Sequence, residues 1–171
     1  MATDSPVSRF LDGIGRWFAP AGESLAPGAR IPDLTLPDDS GAPVNLAAAG
    51  ATGWLLVYFY PRADTPGCTK QACSLRDSYA ELLDLGARVF GVSLDSVERQ
   101  REFRAKHHLP FALLADTKAE LAGAFGVPHS FGFTRRQAFL FRDGLLVWKD
   151  LSAATDQQAA DALAAIRATN P

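Results

Sequence analysis

The sequence predicts an α/β domain, a mixed central sheet with helices on both faces. Three observations carry that expectation. The chain has 171 residues, 47% hydrophobic and 21% charged, which suits one globular domain and excludes a disordered chain. From Trp54 onward, runs that read as strands alternate with runs of helical period. The series closes on two short apolar runs joined by Asp143-Gly144, a strong signal for a tight hairpin.

Leu34-Thr35-Leu36 and Val44-Asn45-Leu46 flank a Pro-Asp-Asp-Ser-Gly turn and predict a small hairpin. Trp54 to Tyr60 is a continuous apolar run, as expected of a buried central strand. A helix is predicted from about Pro66 to Leu85, with Leu75, Tyr79, Leu82 and Leu83 on one face and Gly86 as its stop. Ala87 to Ser93 is the next strand. Val97 to His107 is charged and helical, Phe111 to Ala115 a short strand, and Lys118 to Phe125 a short helix. Gln137 to Phe141 and Leu145 to Lys149 form the hairpin. Ala159, Leu163 and Ile166 mark a final helix, and the residues after Arg167 read as a frayed end. The thioredoxin-like fold has this order of elements.

The first 27 residues are read as an extension ahead of a domain spanning residues 28–171. Val7, Phe10, Leu11, Ile14, Trp17 and Phe18 give one apolar helical face. Pro20 and Gly22 break it, and Pro27-Gly28 leads into the domain. Asp4, Arg9, Asp12 and Arg16 exclude a secretory signal. The extension has two readings, a helix packed on its own domain or a docking surface for a second subunit. The expected state is a monomer, with a dimer through the extension as the alternative.

Seventeen basic residues face nineteen acidic ones, for a net charge of -2. That argues against nucleic acid as a partner. No apolar run is long enough to span a bilayer, so no membrane partner is expected. Two cysteines are too few for a secreted disulfide framework, and with the missing signals they make the cytoplasm the default location.

The chemistry is expected where the buried strand hands over to the helix, at Tyr60-Pro61-Arg62-Ala63-Asp64-Thr65-Pro66-Gly67-Cys68-Thr69-Lys70-Gln71-Ala72-Cys73. Thr65-Pro66 reads as an N-cap followed by the first helical residue. Cys68 then falls in the first turn, beside unpaired backbone N–H groups and the positive end of the helix dipole. Both favour a thiolate. The alternative for Cys68 is a small buried hydrophobe. Cys73 follows five positions on, which on an ideal helix separates the Cα atoms by roughly 8.7 Å. A disulfide needs less than about 7 Å. The two sulfurs therefore pair only if the first turns unwind, and Gly67 eases that. Spacing leaves a packed core role for Cys73 equally open.

The segment Pro61 to Cys68 resembles the active-site pattern of the peroxiredoxins: Pro, three residues, Thr or Ser, two residues, Cys. Cys68-x-x-x-x-Cys73 is similar to the Q-type subfamily, also called bacterioferritin-comigratory proteins. Gly28 to Leu36, Gly91 to Ser96, Leu109 to Phe111 and Leu113 to Asp116 resemble that subfamily's opening and middle. Arg136 stands where the family carries its active-site Arg. The resemblance runs from about Gly28 to near Arg167. It implies a thioredoxin-like fold and a thiol peroxidase acting on hydrogen peroxide and organic hydroperoxides. Cys68 would be the peroxidatic cysteine, forming a sulfenic acid. Thr65 would hydrogen-bond thiolate and peroxide. Arg136 would stabilise the thiolate and the charge developing on the peroxide oxygens. Pro61 would shield the sulfur from water. Cys73 would be the resolving cysteine, giving an intramolecular disulfide that a thioredoxin-like donor reduces. No metal or organic cofactor is implied.

The chain departs from the subfamily pattern at Ala138, where Ser or Thr is common, and at Leu34, where Phe is common. The extension lies outside the family core. Arg135 adjoins Arg136, and strand alternation aims only one of them at the sulfur. His107 and His108 read as favourable company for a helix C-terminus. His129 sits in a Gly-rich loop, and Phe131-Gly132-Phe133 reads as a loop over the core with a part in substrate access. The competing functions are a one-cysteine peroxidase with a structural Cys73, a disulfide reductase or isomerase, and a redox-sensing module that binds a partner.

Overall fold

The computed structural model describes residues 22–169, so the apolar face from Val7 to Phe18 lies outside the described residues. Strands β1 (Thr35–Pro37) and β2 (Pro43–Asn45) pair antiparallel as the small hairpin. Leu46 leaves the strand expected for it. Asn45 Oδ1 accepts from Ala48 N at 2.8 Å, and this cap turns Leu46–Ala49 into a short helix, α1.

The main sheet is built on β3 (Trp54–Phe59), buried along its whole length. Next come α2 (Pro66–Asp77), α3 (Tyr79–Asp84), β4 (Ala87–Ser93), α4 (Val97–Lys106), β5 (Ala112–Ala115) and α5 (Glu120–Phe125). The single helix expected between residues 66 and 85 divides at Ser78, where Asp77-Ser78 places two residues that compete with helical backbone bonding. The start of α5 is shifted inward from Lys118. Ala119 is left-handed, and the buried Asp116 carboxylate accepts from Leu121 N at 3.1 Å and Ala122 N at 2.8 Å. A two-residue pair not expected from the sequence, β6 (His129–Ser130) and β7 (Phe133–Thr134), forms around Phe131-Gly132. Strands β8 (Gln137–Arg142) and β9 (Leu145–Asp150) and helix α6 (Gln158–Thr169) close the chain.

The five strands run in the order β5-β4-β3-β8-β9. β3, β4 and β5 are mutually parallel, while β8 is antiparallel to β3 and β9 to β8. This is the mixed sheet of the thioredoxin-like fold. The Asp143-Gly144 turn carries φ 48 and 81, the two positive values that such a two-residue hairpin requires.

Alternate residues of β3 feed two cores. Trp54, Leu56 and Tyr58 pack with Leu75, Leu82, Phe103, Leu163 and Ile166, beneath α2, α3, α4 and α6. Leu55, Val57 and Phe59 pack with Leu46, Leu121, Phe125 and Phe139 on the other face. The helices on the first face put the amino end of α2 at the carboxyl end of β3. Residues 22–28 run along the second face: Leu25 N donates to Phe125 O at 3.2 Å, and Lys149 Nζ donates to Leu25 O at 2.8 Å.

Leu56 lies opposite Val89 on one side and Leu140 on the other, with no exposed surface. Leu56→Ala is expected to cost about 3 kcal/mol, within the range for truncating a fully buried Leu. The urea midpoint should fall with an unchanged slope. A loss under about 1 kcal/mol would mean that the core beneath α2, α3, α4 and α6 is not packed around β3 as described.

Candidate active site

Tyr60 N bonds Val92 O at 3.0 Å, and from there the chain leaves the sheet. Two anchors hold the following loop. Ala63 N donates to Asp95 Oδ2 at 2.7 Å, and Ser93 Oγ donates to the same oxygen at 2.7 Å. Asp64, at φ 60, receives Lys106 Nζ at 2.7 Å and lies 3.0 Å from His107 Nε2. So His107, at the end of α4, also ties the loop. Thr134 Oγ1 donates to Tyr60 O at 3.0 Å, and the Arg62 guanidinium lies over the Phe133 ring at 5.4 Å.

Thr65 takes the extended N-cap conformation and Pro66 opens α2, as the sequence predicts. The Thr65 side chain does not cap, however. Its Oγ1 donates to Arg62 O at 3.0 Å, which leaves the oxygen lone pairs free to accept. Thr69 N makes the first helical bond, to Thr65 O at 2.8 Å. The N–H groups of Gly67 and Cys68 precede it and have no intrahelical acceptor.

Cys68 is 1% exposed, and its Sγ lies 3.5 Å from Arg136 Nη2. Arg136 is half-buried just ahead of β8, and its neighbour Arg135 is exposed. Pro61 is half-buried in the same loop. Cys73 is half-buried and unpaired on α2. The structure thus places Thr65, Cys68 and Arg136 together at the amino end of α2, with Cys73 about a turn and a half further along.

Gln71 is a site residue that the sequence motifs do not mark. It is fully buried, and its Oε1 accepts from Arg136 Nη1. The available signal was a Gln three positions after Cys68, where an inward helix face ordinarily carries Leu or Ala. His129 Nδ1 lies 3.0 Å from Val127 O. Phe131 is 83% exposed at the tip of the β6–β7 turn. A cavity of about 260 Å³ beside the loop is lined by Ala63, Asp64, Arg99, Glu102, Phe103 and Lys106. Among the described residues no cluster of three or more His, Cys, Asp or Glu could hold a metal ion, and no helix is long and apolar enough to cross a membrane.

Residues 27–149 match the AhpC/TSA family, and the chain belongs to that family. Within it the chain resembles the peroxiredoxin Q and Bcp proteins. It is 46% identical over 101 residues to the chloroplastic peroxiredoxin Q of Sedum lineare, covering 59% of this chain and 54% of the relative. It is 45% identical over 100 residues to peroxiredoxin Bcp of Bacillus subtilis, covering 58% and 63%. The matched segment therefore spans only about half to two thirds of those curated relatives. Among solved structures, peroxidoxin BcpB of Mycobacterium tuberculosis superposes with a TM-score of 0.79 at 33% identity, covering 84% of this chain and 97% of that one. The bacterioferritin comigratory protein of Xanthomonas campestris gives 0.78 at 31%, covering 86% and 98%.

A Cβ on Gly67 would stand 3.2 Å from Arg136 Nη2 and 3.6 Å from Thr155 Cγ2. Arg136, anchored on Gln71, would have to give way. Gly67→Ala should slow alkylation of Cys68 by iodoacetamide at pH 7 severalfold without lowering Tm, since Ala is the better helix former. A wild-type rate would mean that the guanidinium has slack.

The Asp64 anchor is sensitive to pH. The contact with His107, then that with Lys106, holds the Asp64 carboxyl below its usual range. A lowered carboxylate pKa stabilises the fold above the unfolded value of about 3.9 and ceases to do so as pH falls through the folded value. Asp64→Asn, which tolerates the left-handed backbone, should show a smaller drop in urea midpoint than wild type between about pH 5 and pH 3. Equal drops would mean that the Asp64 contacts do not hold the loop.

Proposed function

We propose that the protein is a thiol peroxidase in which Cys68 is the nucleophile. The observation that carries the reading is a buried sulfur at the amino end of a twelve-residue helix, 3.5 Å from a guanidinium. Negative charge on that sulfur is met by Arg136 and by the positive end of the helix dipole.

The Cys68 thiolate attacks the terminal oxygen of a hydroperoxide. The S–O bond forms as the O–O bond breaks, and the leaving alkoxide or hydroxide takes a proton and departs as alcohol or water. The sulfur is oxidised by two electrons to a sulfenic acid. Arg136 donates to the oxygens as charge builds on them, and the Thr65 hydroxyl lies in the same turn to position the peroxide. Pro61 covers the sulfur against water. The sulfhydryl of Cys73 then displaces hydroxide from the sulfenic sulfur, releasing water and forming an intramolecular disulfide. A thioredoxin-like dithiol reduces that disulfide by exchange. Hydrogen peroxide and organic hydroperoxides are the substrates, consistent with the alkyl peroxide reduction studied in the Xanthomonas campestris relative. The Sedum lineare relative is chloroplastic, and for this chain the cytoplasm is the proposed location.

The test is peroxide consumption coupled to thioredoxin, thioredoxin reductase and NADPH. Cys68→Ser should be inactive. Arg136→Met should lose about 100-fold in kcat/KM, the scale of removing one preorganised donor. Cys73→Ser should still consume one equivalent of peroxide but lose turnover with thioredoxin. Full turnover by Cys73→Ser would exclude its resolving role, and activity in Cys68→Ser would exclude the mechanism.

A further inference from the structure

The guanidinium beside Cys68 is held by a chain of two amides. Arg136 Nη1 donates to Gln71 Oε1, and Gln71 Nε2 donates to Gln158 Oε1 on α6. Both glutamines have no exposed surface. The direction of the chain is set from one end. A guanidinium only donates, so Gln71 must turn its oxygen toward Arg136 and its NH2 toward Gln158. Gln158 must then present its oxygen, and its own Nε2 is left buried with no acceptor among the described residues.

A buried unpaired donor is a standing penalty that a Met or Leu at this position would avoid. Packing therefore does not account for Gln158, whereas its one bond does. The segment before it is also fixed to the first turns of α2. Lys70 Nζ meets Asp156 Oδ2 at 2.9 Å, and Thr155 Cγ2 stands 3.6 Å from the Cβ position of Gly67.

We propose that Gln158 is a positioning residue for the reaction at Cys68, holding the Gln71 amide in the orientation that keeps Arg136 against the sulfur. The inference rests on the peroxidase reading for its biological meaning. It reaches the site from the C-terminal helix, beyond the segment that matches the family.

The test compares Gln158→Met, Gln71→Met, the double variant and Gln158→Glu, all in the full chain. Two rates are read: Cys68 alkylation at pH 7, located by peptide mapping, and single-turnover consumption of hydrogen peroxide. Gln158→Met should slow both about fivefold, the worth of a neutral hydrogen bond, and Gln71→Met should slow them more because its bond is to a charged group. The double variant should be no slower than Gln71→Met, since Gln158 acts only through Gln71. Gln158→Glu keeps an acceptor facing Gln71 and should recover most of the loss. Wild-type rates in Gln158→Met, multiplying losses in the double variant, or failure of Gln158→Glu to recover the rate would each overturn the proposal. If Gln158→Met folds poorly, Gln158→Leu, which also removes the acceptor, takes its place in every comparison. A wild-type protein that does not react with peroxide at all would sink the peroxidase reading, while the alkylation rates would still test the positioning.

Discussion

The contact between the Arg136 guanidinium and the Cys68 sulfur makes demands on every layer of the fold. The sulfur has to be buried, so that charge on it is felt strongly, yet it must sit where backbone N–H groups are still unpaired. Only the first turn of a helix offers both. The helix must then start at the carboxyl end of the central strand, where the loop from Pro61 to Thr65 can be tied down from outside by Asp95, Lys106 and His107. The positive charge has to arrive from another element. It comes from the lead into β8, the strand paired antiparallel to β3, so both partners are set by the same register.

The same contact explains why so much polar matter is buried beneath α2. A guanidinium carries more donors than one sulfur can use. Gln71 takes one, and Gln158 takes the proton that Gln71 offers next. Gln71 also lies between Cys68 and Cys73. Any disulfide between those residues has to unwind the turn that contains it, so Arg136 loses its anchor in the same motion. In the proposed cycle, the reactive and oxidised geometries are alternative states of one helix start.

Much of this was legible in the sequence, because local rules decided it. Thr65-Pro66 marks a helix start, the run from Trp54 to Tyr60 a buried strand, and Asp143-Gly144 a tight hairpin. Together they place Cys68 without any tertiary knowledge. What escaped reading depended on contacts between distant segments. Nothing local says that Gln71 meets Arg136 and Gln158, or that His107 reaches back to Asp64. Boundaries moved where a side chain bid for backbone groups, as Asn45 and Asp116 do. The break at Ser78 and the two-residue pair around Phe131 are too short for periodicity to reveal.

In the proposed cycle Cys68 and Cys73 exchange an intact helix start for a disulfide. The most direct measurement adds one equivalent of hydrogen peroxide to the reduced protein, quenches within seconds, and reads intact mass and mapped peptides. The proposed mechanism predicts a loss of two hydrogens and a Cys68–Cys73 cross-link. A stable gain of one oxygen on Cys68 would remove Cys73 from the chemistry, and an unchanged mass would contradict the assignment of Cys68 as a peroxide-reactive thiol.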